Sequence, residues 1–195
     1  MSDLLMSEDG GPPPLTDEER EGLIPSYITL RGELNAAEQA NILKAEEWAF
    51  ARSRNVLDQK FLNTLHERMF GNVWRWAGKF RRTGKNVGVD PYRIATELKQ
   101  LTDDCTCWVD QNTYESDEIA ARFHHRLVFI HPYANGSGRH GRLAADLLLT
   151  STDSYRFSWG SENLIDPGET RSRYIAALRS ADDHDYAPLL KFARS

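Results

Sequence analysis

Cysteine is scarce in this chain of 195 residues: Cys105 and Cys107 are the whole supply. Two positions apart on a helical pattern, they face different sides, which argues against a disulfide or a shared metal site between them. Two reduced thiols fit a reducing, cytoplasmic setting. Long apolar runs are missing as well. None approaches the roughly 20 residues needed to cross a bilayer, and the acidic, Pro- and Gly-rich start is unlike a signal peptide. No membrane partner is therefore expected. Nor is there an excess of positive charge. The 24 Lys and Arg against 29 Asp and Glu leave a net charge of −5, so no overall basic footprint points to direct contact with nucleic acid. Strand alternation is confined to one short stretch, and neither a β-α-β succession nor an internal repeat occurs.

What remains is the composition of an ordinary globular protein, 40% hydrophobic and 27% charged, long enough for one domain with a substantial core. Residues 1–21, with Gly10-Gly11, three prolines and a run of acids, read as a flexible N-terminal arm. The domain is expected over 22–195, opening on the apolar clip Gly22-Leu23-Ile24-Pro25. A first helix is predicted from Asn35 to Ser53, with Asn35 as cap and Glu38 closing a capping box. A second runs from Asp58 to Phe70 and stops at Gly71. Asp90-Pro91 starts a third, with Ile94, Leu98, Leu101 and Cys105 on one side. Ile119, Phe123, Leu127 and Ile130 make the core stripe of a fourth, over 117–130. Leu143, Ala144, Leu147 and Leu148 mark a fifth, and two more follow over 168–181 and 186–193. His66, His124 and His125 lie inside helices and read as packing residues. The fold class is all-α, a helical bundle carrying one small β-hairpin over 79–89. That hairpin bears Lys79, Arg81, Arg82 and Lys85. They are either charges that blunt a sheet edge or part of a flap that docks an extended segment.

Between the fourth and fifth helices stands His131-Pro132-Tyr133-Ala134-Asn135-Gly136-Ser137-Gly138-Arg139-His140-Gly141-Arg142. Its G-x-G-x-x-G spelling is not a dinucleotide site, because no strand precedes it. Proline disfavours helix at the residue before it, so the fourth helix ends near His131. Tyr133 is the one large apolar group of the turn and is expected to plug the core. Gly136 and Gly138 expose backbone N–H groups where a new helix begins, an arrangement that binds phosphate. Arg139 and Arg142, one turn apart, can clamp two phosphate groups. An ion pair from Arg142 to Asp146 is the structural alternative. A neutral His131 beside a polyphosphate can take the proton of an incoming hydroxyl. This outlines phosphoryl or nucleotidyl transfer.

The same residues resemble the signature of the Fic (fido) family, HPF-x-[D/E]-G-N-G-R-x-x-R, through His131, Pro132, Gly136, Gly138, Arg139 and Arg142, with Tyr133 for Phe. Residues 22–194 resemble the branch called mobile mystery protein B, with its Thr29-Leu30-Arg31-Gly32-Glu33-Leu34-Asn35 and Trp74-Arg75-Trp76-Ala77-Gly78 stretches. The resemblance implies transfer of AMP from ATP to a Ser, Thr or Tyr hydroxyl of a target protein. It makes His131 the base and Arg139 and Arg142 the β/γ-phosphate clamp, with the backbone of 136–138 as anion hole. Lys85, Asn86, Val87 and Gly88 would be the target-docking flap, and a small helix-turn-helix companion protein the partner. Two positions depart from the pattern. Asn135 replaces the acid that holds Mg²⁺ or Mn²⁺, a weaker ligand, and Ser137 replaces an asparagine that fixes the α-phosphate. Two alternatives stay open: a nucleotide- or peptide-binding module with little turnover, and a relative that transfers a different phosphate-containing group. The family often silences itself with [S/T]-x-x-x-E-[G/N], whose glutamate pairs with the second arginine. Thr29-x-x-x-Glu33 has that spacing, though Leu34 follows. The candidates for reaching Arg142 are therefore Glu33 and Glu38.

Overall fold

The computed structural model describes residues 21–84, 87–161 and 167–195. The arm expected over 1–21 lies, apart from Glu21, outside the described residues, as do Lys85 and Asn86 of the expected flap. Among the described residues these helices follow one another: α1 (Arg31–Phe50), α2 (Gln59–Phe70), a 3₁₀ turn (Pro91–Arg93) continuing into α3 (Ile94–Asp110), α4 (Ser116–Ile130), α5 (Ser137–Ser151), α6 (Pro167–Asp182) and α7 (Ala187–Ala193). The all-α class expected from periodicity is what forms.

Helices α4 and α5 are the central pair, and loop 131–136 joins them. Their close approach follows from small residues. Ala120, Ala121, Ala144 and Ala145 are fully buried, and a Cβ on Gly141 would stand 3.1 Å from His124 Nδ1. Helix α3 leans on α4, α1 on α2, and α6 on α7. One continuous core of α1–α5 encloses Leu62, Leu65, Met69, Phe70, Leu98, Phe123, Leu127, Ile130 and Leu149. A smaller cluster seats α6 and α7 through Ala177, Ala181, Leu189 and Phe192. Asp58 caps α2 by accepting Phe61 N–H at 3.0 Å. His124 and His125 bond Tyr174 Oη at 2.9 Å and Asp182 Oδ1 at 2.8 Å, in keeping with packing roles. Burial drives the His124 pKa down to about 3.

Two expectations are corrected. Helix α1 begins at Arg31, four residues before Asn35, because Glu33 rather than Glu38 closes back on the helix start. Glu33 Oε2 accepts Thr29 N–H at 3.0 Å and Leu30 N–H at 3.2 Å. Glu38 thereby falls on the buried stripe Leu34, Glu38, Asn41, Ala45, Ala49. The second correction concerns the hairpin. Among the described residues there is no strand, only an isolated antiparallel bridge between Leu23 and Trp74. The described residues on either side of the expected turn bond to the end of α4 and the step beyond it: Arg81 N–H donates to Pro132 O at 2.9 Å and Val89 N–H to Ile130 O at 3.3 Å.

Candidate active site

Proline sets the geometry of the first candidate. Pro132 offers no N–H and restricts its predecessor, so α4 stops, and His131 takes left-handed angles, φ 51° and ψ 62°. Its N–H still closes the last turn on Leu127 O at 3.3 Å. A non-glycine residue in this region is strained and needs surrounding structure to hold it. Here Gly88 lies against it. A Cβ on Gly88 would come within 2.6 Å of His131 Cβ, and its φ of +92° is itself open chiefly to glycine.

The loop after Pro132 is braced from inside the core. Tyr133 is fully buried, as its plug role requires, and donates through Oη to Asn63 Oδ1 at 2.8 Å. Its ring stacks on His66 at 3.7 Å between centroids. Gly78 N–H donates to His66 Nδ1 at 3.0 Å. That leaves the proton on Nε2, which donates to Asn135 O at 3.1 Å. Burial holds this imidazole well below its ordinary pKa and therefore neutral. His66 is thus more than filler: it fixes a carbonyl of the loop. Asn135 Oδ1 accepts Gly136 N–H at 2.7 Å and shapes the turn from the other side.

At Gly136 the backbone turns left-handed, φ +80°, and a Cβ would sit 2.6 Å from the Phe70 ring. Helix α5 starts at the next residue without a side-chain cap and without an acid in its first turn. Its first amides therefore present the positive end of the helix dipole. Gly138 differs from Gly136: a Cβ there would meet only Tyr174 Oη, at an ordinary 3.7 Å. Packing within the chain gives no reason for glycine at 138, whereas close approach of a ligand to the backbone does. Ser137 turns the other way. Its side chain is buried, with Oγ in no hydrogen bond among the described residues, so it brings the site a backbone N–H and not a hydroxyl.

Arg139 and Arg142 stand one turn apart as expected, but their partners differ from the expectation. Arg139 Nη1 donates to Glu38 Oε2 at 2.6 Å, and the other oxygen of Glu38 accepts Trp74 Nε1–H at 2.6 Å. Glu38 is 3% exposed and Trp74 1%. The glutamate thus reaches the first arginine of the motif, not Arg142, and Glu33 is occupied at the start of α1. Arg142 makes no ion pair among the described residues, and its guanidinium lies 5.7 Å from the Tyr174 ring centre. Asp146, its sequence alternative, accepts instead from Phe157 N–H at 3.2 Å and Trp159 Nε1–H at 3.0 Å.

Of the expected flap, Val87 and Gly88 are described, and Gly88 abuts His131. Among the described residues no three His, Cys, Asp or Glu side chains gather, and Asn135 Oδ1 is already engaged by Gly136. Trp74, His66 and Arg81 escaped the sequence reading as site residues. The run Trp74-Arg75-Trp76-Ala77-Gly78 was the one available signal, since buried Trp N–H groups need an acceptor.

Residues 56–149 match the model of the Fic/DOC family. The chain is 33% identical over 136 residues to protein adenylyltransferase fic-1 of Caenorhabditis elegans, and 32% identical over 132 residues to protein adenylyltransferase Fic of Drosophila grimshawi. Each alignment takes in 66% of this chain but only 25% and 26% of those relatives, so the chain spans about a quarter of their length. BepC, a VirB-translocated effector protein of Bartonella tribocorum with bound AMPPNP, shares the fold at a TM-score of 0.68 and 18% identity, over 92% of this chain and 97% of that one. Fic-1 (residues 134–508) of C. elegans does so at 0.67 and 23%, over 88% and 50%. Helices α2 to α4, all but the last two residues of α5, the loop between α4 and α5 and the segment lying on it fall in the matched region, and through it the chain belongs to the Fic/DOC family.

Proposed function

We propose that this chain transfers AMP from ATP to a Ser, Thr or Tyr hydroxyl of a target protein. The observation that carries the reading is the junction itself: an uncapped α5 N-terminus, a Gly138 that packing does not demand and two arginines, all five to eleven residues beyond a histidine held at the end of α4. Triphosphate oxygens accept from the first amides of α5, and Arg139 and Arg142 carry the β/γ charge. Neutral His131 takes the proton of the attacking hydroxyl. That oxygen bonds to the α-phosphorus, the bond from the α-phosphorus to the bridging oxygen breaks, and pyrophosphate leaves with the charge it gains. The relatives named as adenylyltransferases support the choice of AMP over phosphate.

A divalent cation, Mg²⁺ or Mn²⁺, belongs to the reading only as a companion of the nucleotide. Such ions bind ATP phosphates and keep several waters, and the residues around Asn135 do not make a site by themselves. Autoinhibition takes a different shape from the sequence expectation. Glu38 holds Nη1 of Arg139, so phosphate gains the whole guanidinium only by displacing a buried carboxylate. A small helix-turn-helix companion, implied by the mobile mystery protein B resemblance, and a cytoplasmic setting, suited to two reduced thiols, complete the proposal. No helix among the described residues is long and apolar enough to cross a membrane. One observation favours a second reading, nucleotide held with little turnover: neither side chain that departs from the family pattern serves the open face, since Asn135 Oδ1 is engaged by Gly136 N–H and Ser137 Oγ is buried with no hydrogen bond among the described residues.

Label transfer separates these readings. The protein is incubated with ATP labelled at the α or the γ phosphate, with Mg²⁺ or Mn²⁺, beside His131→Ala. Label from the α position that disappears in the variant is the expected result. Label from γ alone replaces AMP transfer by phosphoryl transfer, and nucleotide binding without label establishes the binding module.

A further inference from the structure

Arg81 is 5% exposed, yet among the described residues it pairs with no carboxylate, and the hydrogen bonds of its guanidinium go to backbone carbonyls. Nε donates to His131 O at 2.7 Å and Nη1 to Thr83 O at 3.0 Å. Nη2 donates to Val89 O and, at 3.5 Å, approaches Ile130 O. The backbone adds Arg81 N–H to Pro132 O and Val89 N–H to Ile130 O. Two sets of acceptors meet on this one side chain. Ile130, His131 and Pro132 are the last carbonyls of α4 and the step beyond it, which the helix cannot satisfy. Thr83 and Val89 are the two limbs of the segment that lies over the loop. A guanidinium, planar and with five donors, is the one side chain able to bind such a fan of oxygens at once. Its positive charge also suits a helix C-terminus.

We infer that Arg81 is a positioning residue: it caps α4 from outside the helix and ties Thr83 and Val89, on the target-facing side, to the backbone of His131. The inference rests on the transfer reading above for what the tie accomplishes, and on the contacts alone for the tie itself. His131 is held left-handed at a bond-rotation step where a small turn swings its imidazole. The carbonyl of that residue is bound to Nε, and the neighbouring Gly88 leaves no room for a Cβ against His131. The base and the surface that presents the hydroxyl therefore share one rigid joint. A lysine would supply the charge but only one nitrogen, and could not span both limbs and the helix end.

Two measurements on the full chain test this, with Arg81→Lys and Arg81→Gln, the second covering failure of either to fold. Amide hydrogen exchange is read first, without nucleotide. The expected result is faster exchange at 87–89 and 131 with α5 amides 140–149 still protected. Unchanged exchange at 87–89 overturns the tie, and uniform loss across α5 makes Arg81 a plain stability residue. Transfer kinetics are read next. A misplacement near 1 Å at a reacting group costs about 100-fold, so kcat per folded molecule is expected to fall about 10- to 100-fold while the ATP Kd stays within about two-fold. Unchanged kcat overturns the positioning role. If the unaltered chain transfers no label, the transfer reading fails by itself, and the exchange result alone decides whether Arg81 makes the joint.

Discussion

Removing Glu38 is expected to weaken the fold and strengthen the site, two effects of opposite sign from one carboxylate. Its Oε1 is the acceptor for Trp74 Nε1–H, and Trp74 is 1% exposed. Glu38→Ala orphans that donor, which costs about 1–3 kcal/mol, and opens a small cavity beside it. Arg139 keeps a third of its side chain in solvent, 34%, and so can return to water. The loss of the pair itself adds no more than about 1 kcal/mol. The sum, about 2–4 kcal/mol, lowers Tm by about 5–15 °C in a chain of this size. Glu38→Gln leaves a carbonyl oxygen for the indole and is expected to cost about 1 kcal/mol. In both variants Arg139 becomes available to phosphate. A hydrogen bond to a charged group is worth about 1.5–3 kcal/mol, or roughly 10- to 100-fold. The assay pairs a thermal melt with the initial rate of labelling from α-labelled ATP, and Glu33→Gln is the control. Glu33 is exposed and engages only the start of α1, so that variant should leave labelling unchanged. A fall in Tm without any gain in nucleotide affinity or labelling, in both Glu38 variants, would reduce the Glu38–Arg139 pair to a structural contact.

Two further outcomes bear on the scaffold of the site. Gly136→Ala places a Cβ 2.6 Å from the Phe70 ring at a φ of +80°. The backbone strain costs about 1–2 kcal/mol and the overpacking about 1–3 kcal/mol, so chemical denaturation should show a loss of about 2–5 kcal/mol; a variant as stable as the parent contradicts the turn geometry. Asp146 tests the electrostatics of α5. Burial raises its pKa to about 6 from an ordinary 3.8, against the pull of Trp159 and Phe157. The folded state holds this proton more tightly than the unfolded chain does. The resulting stability is present in full below about pH 4 and is lost as pH rises through about 6. Its full size is about 3 kcal/mol, of which about 1.4 kcal/mol falls between pH 5 and pH 8. Buried His124 and His140, lowered to about 3 and about 4, pull the other way: their contribution is present above about 6.5 and lost as pH falls. The difference between the parent and Asp146→Asn cancels them. That difference should move by about 1.4 kcal/mol in favour of asparagine from pH 5 to pH 8; a flat difference in urea denaturation contradicts a buried, proton-hungry Asp146.

Which parts of this architecture could be read in advance follows from what each residue has for a partner. Phe123, Leu127 and Ile130 meet apolar side chains, and apolar partners recur with the helical period, so α4 was legible to within a residue. The loop was legible for a related reason: Pro132 and the glycines act on their own backbone, and that action needs no distant partner. Glu38 was misread because two local boxes compete over the same stretch. Asn35 with Glu38 has the spacing of a capping box, but Glu33 closes first, on Thr29 and Leu30. Nothing local then records that Glu38 turns inward to Trp74 and Arg139, 36 and 101 residues away. Arg81 lies beyond even that limit. Its partners are carbonyl oxygens, which every residue carries, so no choice of amino acid at 83, 89, 130 or 131 betrays the contact. A cation among polar residues reads as a solvated edge, and the alternation of Phe80, Val87 and Val89 reads as a hairpin. Both signs were present, and both were overridden once a guanidinium took the acceptors that a cross-strand neighbour would have used. The misread hairpin and the missed arginine are therefore one error with one cause.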